Sequence, residues 1–62
     1  MIIEKYIYRG YTIEIYENKI YQNWSYVIKK NENIVKQPNK IYFSLFDVKN
    51  SAELAVNLLE NE

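Results

Sequence analysis

The sequence predicts an α+β domain: a three- to four-stranded antiparallel sheet packed on one C-terminal helix. Three observations carry the prediction. Apolar and polar residues alternate through residues 3–37, the period of half-buried strands. From residue 45 to about residue 60 the apolar positions switch to helical spacing. With one Gly and one Pro in the chain, reversals are confined to a few places.

The alternating segments 3–8 and 11–17 flank Arg9-Gly10, which predicts a tight hairpin, because Gly tolerates the positive φ such turns need. A two-residue loop sets the register. Tyr8 faces Tyr11, Tyr6 faces Ile13 and Glu4 faces Ile15 on one side of the sheet. On the other, Ile7 faces Thr12, Lys5 faces Glu14 and Ile3 faces Tyr16. The opposite charges of Lys5 and Glu14 support this pairing. The next reversal falls in Glu17-Asn18-Lys19 or Gln22-Asn23. Residues 24–30 form the clearest strand, with Trp24, Tyr26 and Ile28 alternating against Ser25, Val27 and Lys29. Asn31-Glu32-Asn33 is a polar turn, and residues 33–37 form a short fourth strand that Pro38 ends or confines to an edge. Ile41-Tyr42-Phe43 leads into the helix.

Phe43-Ser44-Leu45-Phe46-Asp47-Val48 reads as a helix start. Ser44 is placed to cap free backbone N–H groups, and Asp47 to bond back as in a capping box. Phe43 and Val48 occupy the positions of a hydrophobic staple. Leu45, Val48, Ala52, Ala55, Val56 and Leu59 give one apolar stripe, expected to meet Tyr6, Ile13, Ile15, Trp24, Tyr26 and Ile28 on the sheet. The two alanines leave room for the rings opposite.

Sixty-two residues predict one domain. A chain this short buries only about 60% of its unfolded surface. It has no Cys and no His, so neither disulfides nor the usual zinc ligands staple it. Seven Tyr, two Phe and one Trp supply the core mass instead. Without His or Cys, the triads built on those residues are impossible, and one Gly allows no phosphate-cradling loop. The carboxylates are scattered, so no metal or cofactor site is expected and the chain reads as non-enzymatic. No apolar run approaches the roughly 20 residues of a membrane span, and the N-terminus lacks signal-peptide order. The expected location is cytoplasmic.

Net charge is zero but unevenly placed. Residues 1–42 carry seven bases against four acids, and residues 43–62 carry one base against four acids. The helix is therefore acidic and the sheet mildly basic. Lys29, Lys30, Lys36 and Lys40 cluster on the third and fourth strands among aromatic residues, as in surfaces that stack bases and contact phosphates. With the Trp24-x-Tyr26-x-Ile28 strand and the Phe43-Ser44 helix start, the chain resembles the small arm-type DNA-binding domains of tyrosine recombinases. That resemblance implies an antiparallel sheet, a C-terminal helix and an origin in a phage or mobile element, while the four lysines are the candidate nucleic-acid contacts on the residue pattern itself. The chain departs from the pattern in its neutrality and its acidic helix.

The sheet face turned away from the helix offers another surface. The register places Ile3, Ile7, Tyr16 and Val27 there, with Lys5, Glu14 and Lys29 as a charged rim. Solvent-facing sheet sides are normally more polar, and apolar patches with charged rims mark association surfaces. The expected function is a protein-binding or regulatory module acting through this face or its edge, with a protein partner or a second copy. The alternative is a nucleic-acid-binding module.

Overall fold

The computed structural model describes residues 1–61. Four strands precede one helix: β1 (Ile2–Tyr8), β2 (Tyr11–Asn18), β3 (Asn23–Lys30), β4 (Asn33–Lys36) and α1 (Leu45–Glu60). The strands form one antiparallel sheet in the order β1-β2-β3-β4, and α1 lies across one face. Each strand pairs with its sequence neighbour, as short connections dictate.

Both short hairpins use two-residue loops with positive φ at both positions, the primed turns that match strand twist. Arg9 has φ 53° and Gly10 φ 85° between β1 and β2, and Asn31 (53°) and Glu32 (69°) link β3 to β4. The β2–β3 turn is longer and is organised by Asn18, whose Oδ1 accepts from the backbone N–H of Ile20 (3.0 Å) and Tyr21 (3.3 Å). The predicted β1–β2 register holds at Tyr8/Tyr11, Ile7/Thr12, Tyr6/Ile13, Lys5/Glu14 and Glu4/Ile15. It fails at the last pair: Tyr16 faces Ile2, not Ile3, across an irregularity between Ile2 and Glu4. The Glu17 N–H donates to the Met1 carbonyl (3.0 Å), so the N-terminus stays paired only if one residue is extruded.

Tyr11, Ile13, Ile15, Tyr26 and Ile28 on the sheet and Val48, Ala52, Ala55 and Val56 on the helix form the buried core. Tyr6, Tyr8, Trp24, Tyr42 and Leu59 pack around it. Tyr42 returns to the sheet edge by exchanging two 2.8 Å backbone hydrogen bonds with Trp24, and its ring lies 6.0 Å from that of Tyr26.

The helix starts where the sequence places it. Ser44 is the N-cap, and its Oγ accepts from the Asp47 N–H at 3.0 Å. The reciprocal half of the capping box is absent among the described residues. Phe43 is largely exposed while Val48 is wholly buried, so little of the Phe43 ring serves the expected staple. Leu45 also stands partly in solvent rather than in the core.

One set of side-chain bonds ties α1, which lies over β3 and β2, to β1. Lys49 Nζ donates to Glu4 Oε2 (2.7 Å), the Tyr6 hydroxyl to Glu53 Oε2 (2.8 Å), and the Tyr8 hydroxyl to Asn57 Oδ1 (3.2 Å). Arg9 Nη1 adds a 2.7 Å bond to the same Asn57 oxygen. Two residues along a strand advance about 6.7 Å and four along a helix about 6.0 Å. Residues 4, 6 and 8 therefore keep step with 49, 53 and 57.

Candidate functional site

The sheet face opposite α1 differs from its expected form at two positions. Val27 is only 5% exposed and cannot belong to an accessible patch. The segment leaving β4 runs beside it, with Gln37 and Pro38 bordering a depression shared with Tyr16, Ser25 and Val27. Pro38 breaks the ladder, and the Tyr42–Trp24 bridge draws the chain back. Ile3 and Ile7 are exposed and Tyr16 is half-buried.

The second correction is Glu14. It is not on a rim but at the centre of the face, 2% exposed. The Tyr16 hydroxyl donates to its Oε1 at 3.0 Å, Lys29 Nζ stands 3.3 Å from Oε2, and Lys5 Nζ stands 3.9 Å from Oε2. Burial alone would raise the Glu14 carboxyl, but the Tyr16 hydroxyl and the two ammoniums together hold it below its ordinary value. The Tyr16 hydroxyl is pushed up in turn, by burial and by its bond to that carboxylate. What remains for a partner on this face is Ile3 and Ile7 near the β1 edge. That edge carries the irregularity beside Ile2 and the exposed Lys5, both features that blunt strand addition.

The four candidate nucleic-acid contacts do not form a free basic set. Lys29 is held by Glu14. Lys30 Nζ sits over the Tyr11 ring (4.5 Å to the centroid), and Lys40 Nζ over the Tyr42 ring (5.3 Å). Lys36 lies on the outer strand β4, opposite Ile28. Among the described residues there is no group of three or more acids placed to hold a metal ion, and no helix long and apolar enough to cross a membrane.

A larger apolar surface lies on α1. Phe46, Leu54 and Leu58 stand at positions i, i+8 and i+12, the side of the helix opposite Val48, Ala52 and Val56. Phe46 is 77% exposed and Leu58 68%, with Leu54 also exposed. Phe43, outside the helix before the cap, is also 72% exposed. At about 150–250 Å² per ring, the two phenylalanines alone leave on the order of 300 Å² in solvent. The largest apolar patch on a typical monomer is about 300–600 Å² and is often the functional one. Asn50, at i+4 from Phe46, interrupts the stripe above a shallow depression lined by Phe46, Lys49, Asn50 and Glu53. Following one apolar stripe along the helix passes this second one by, although its four-residue spacing stands in the sequence. Comparison with protein-family models, curated proteins and solved structures finds no match to this chain.

Proposed function

We propose that this chain is a non-enzymatic protein-binding module of the cytoplasm whose contact surface is the outer face of α1. The observation that carries the reading is the exposure of Phe46, Leu54 and Leu58 on the outer side of the helix. Burying such a side in a partner removes apolar area from water at about 25 cal/mol per Å². Rigid aromatic anchors are also favoured at binding hot spots. The β1 edge with Ile3 and Ile7 is the secondary surface, smaller and blunted by Lys5.

Nucleic-acid binding through Lys29, Lys30, Lys36 and Lys40 has less support, because Lys29, Lys30 and Lys40 are engaged within the chain. The test is cross-linked recovery of the tagged chain from its own cells, in three forms. A specific protein should stay with the wild type and with Ile7→Asp, and be lost from Phe46→Asp combined with Leu58→Asp. A complex that survives the α1 double substitution rejects the reading. Recovery of nuclease-sensitive, salt-sensitive material instead would favour the nucleic-acid alternative.

A further inference from the structure

We infer that the partner held by α1 also lays an extended segment, acidic at its centre and apolar on either side, along the outer edge of β1 as an added antiparallel strand. The inference rests on the reading of α1 as the main contact and names what the secondary surface takes. β1 ends the sheet, and no described strand pairs with its outer side. The Glu17 N–H donates to the Met1 carbonyl, so Ile15, Ile13 and Tyr11, at steps of two along β2, also turn their backbone groups toward β1. Their partners are Glu4, Tyr6 and Tyr8. Lys5 and Ile7, the residues between, therefore turn their N–H and C=O groups outward. Strand addition uses such a row of unspent donors and acceptors. The other edge offers less, because β4 has only four residues and slips register against β3 between Ile28 and Lys29.

The two features that blunt strand addition in general also select what this edge accepts. The irregularity between Ile2 and Glu4 leaves residues 4–8 in regular register. Lys5 is loosely held: its Nζ stands 3.9 Å from Glu14 Oε2, whereas Lys29 stands at 3.3 Å. An acid placed opposite Lys5 forms an opposite-charge cross-strand pair, and an apolar residue opposite Ile7 covers a side chain that is 74% exposed. A second copy laid antiparallel in full overlap sets Lys5 against Lys5, and like charges directly opposite repel. The helix side of the edge adds a place for a side chain. Lys49 and Glu53 bond to Glu4 and Tyr6, so the depression they line with Phe46 and Asn50 opens beside β1. Alternate residues of an added strand point to opposite faces. Those between the acid and its apolar neighbours therefore point to the helix side, where the exposed Phe46 ring is an apolar wall.

The test adds short synthetic peptides to the whole chain, isotope-labelled, and follows its amide shifts at low and raised salt. One peptide carries Val, Glu and Val at alternate positions. A second has Lys in place of Glu, and a third is the first with those three backbone nitrogens methylated. The Glu peptide should shift the amides of Lys5, Tyr6 and Ile7 and leave those of Leu54 and Leu58 unmoved. It should bind about fivefold tighter than the Lys peptide, with the gap narrowing as salt rises. Lys5→Gln, at an exposed position, should shrink the gap. The methylated peptide should not bind, because it has lost the donors that face β1. Equal binding of the Glu and Lys peptides, retained binding of the methylated one, or no shift along β1 overturns the inference. Shifts confined to Leu54 and Leu58 overturn it too, while favouring α1 as a contact surface. Concentration-dependent broadening of the β1 amides in the free chain, removed by Ile7→Asp, would make the occupant a second copy and also overturn it. The reading of α1 stands or falls separately, on the recovery of a partner with Phe46→Asp combined with Leu58→Asp.

Discussion

Replacing Glu14 by Gln removes the charge at the centre of the open sheet face while keeping nearly its shape. Three contacts change. The Tyr16 hydroxyl at 3.0 Å and Lys29 at 3.3 Å lose a charged acceptor, and Lys5 at 3.9 Å loses a weak pair. The Lys5 side chain is 61% exposed, so its share is small. A charge-assisted hydrogen bond is worth about 1.5–3 kcal/mol, and Lys29 returns to water rather than being stranded, so the expected loss is about 1–2 kcal/mol at neutral pH. Stranding a fully buried partner would cost more, about 3–5 kcal/mol. The pH dependence has a definite sign. The folded carboxyl is held below its ordinary value of 4.5, so between the two values the unfolded chain binds more protons and stability rises with pH. The contribution is complete above pH 4.5 and is lost as pH falls through the folded value. Urea unfolding followed by Trp24 fluorescence across the acid range gives both quantities. A Glu14→Gln protein as stable as wild type at neutral pH, with an unchanged acid limb, refutes the assignment of Glu14 as the centre of that face.

Val27→Asp should destabilise strongly, by more than about 3 kcal/mol, because it buries a negative charge directly across from the buried Glu14 carboxylate, whereas Ile7→Asp should stay within about 0.5 kcal/mol. Equal tolerance at both positions in urea unfolding would mean that Val27 is exposed after all. Ser44→Ala should cost about 1 kcal/mol by removing the Oγ that accepts from Asp47, read as a lower urea midpoint at unchanged slope. Burial and the neighbouring Tyr42 push the Tyr26 hydroxyl up to about 12. Its contribution to stability is present below pH 10 and lost as pH rises through about 12, and in an ultraviolet titration Tyr26→Phe should remove a late-titrating phenol.

The elements that were legible in the sequence are those set by local rules. The β1–β2 register follows from alternation, a two-residue loop and the Lys5–Glu14 pair. The start of α1 follows from Ser44 and the stripe behind it. What was not legible depends on distant backbone. The irregularity at Ile2 exists because Met1 and Glu17 hydrogen-bond across the sheet. Val27 is buried because Tyr42 returns to Trp24 and carries Gln37 and Pro38 past it. The contacts of Glu4, Tyr6 and Tyr8 with Lys49, Glu53 and Asn57 require knowing how α1 is set across the sheet, which no spacing along the chain encodes. The outer stripe of α1 is a different case. Phe46, Leu54 and Leu58 carry a readable period, but attention to the core-facing stripe assigns the patch to the sheet instead.

The most direct measurement is cross-linked recovery from cells of the wild type, of Ile7→Asp and of Phe46→Asp combined with Leu58→Asp, side by side. The expected result is a specific protein recovered with the wild type and with Ile7→Asp but lost with the α1 double substitution. A protein lost with Ile7→Asp and kept with the α1 double substitution would contradict it and return the contact surface to the sheet edge.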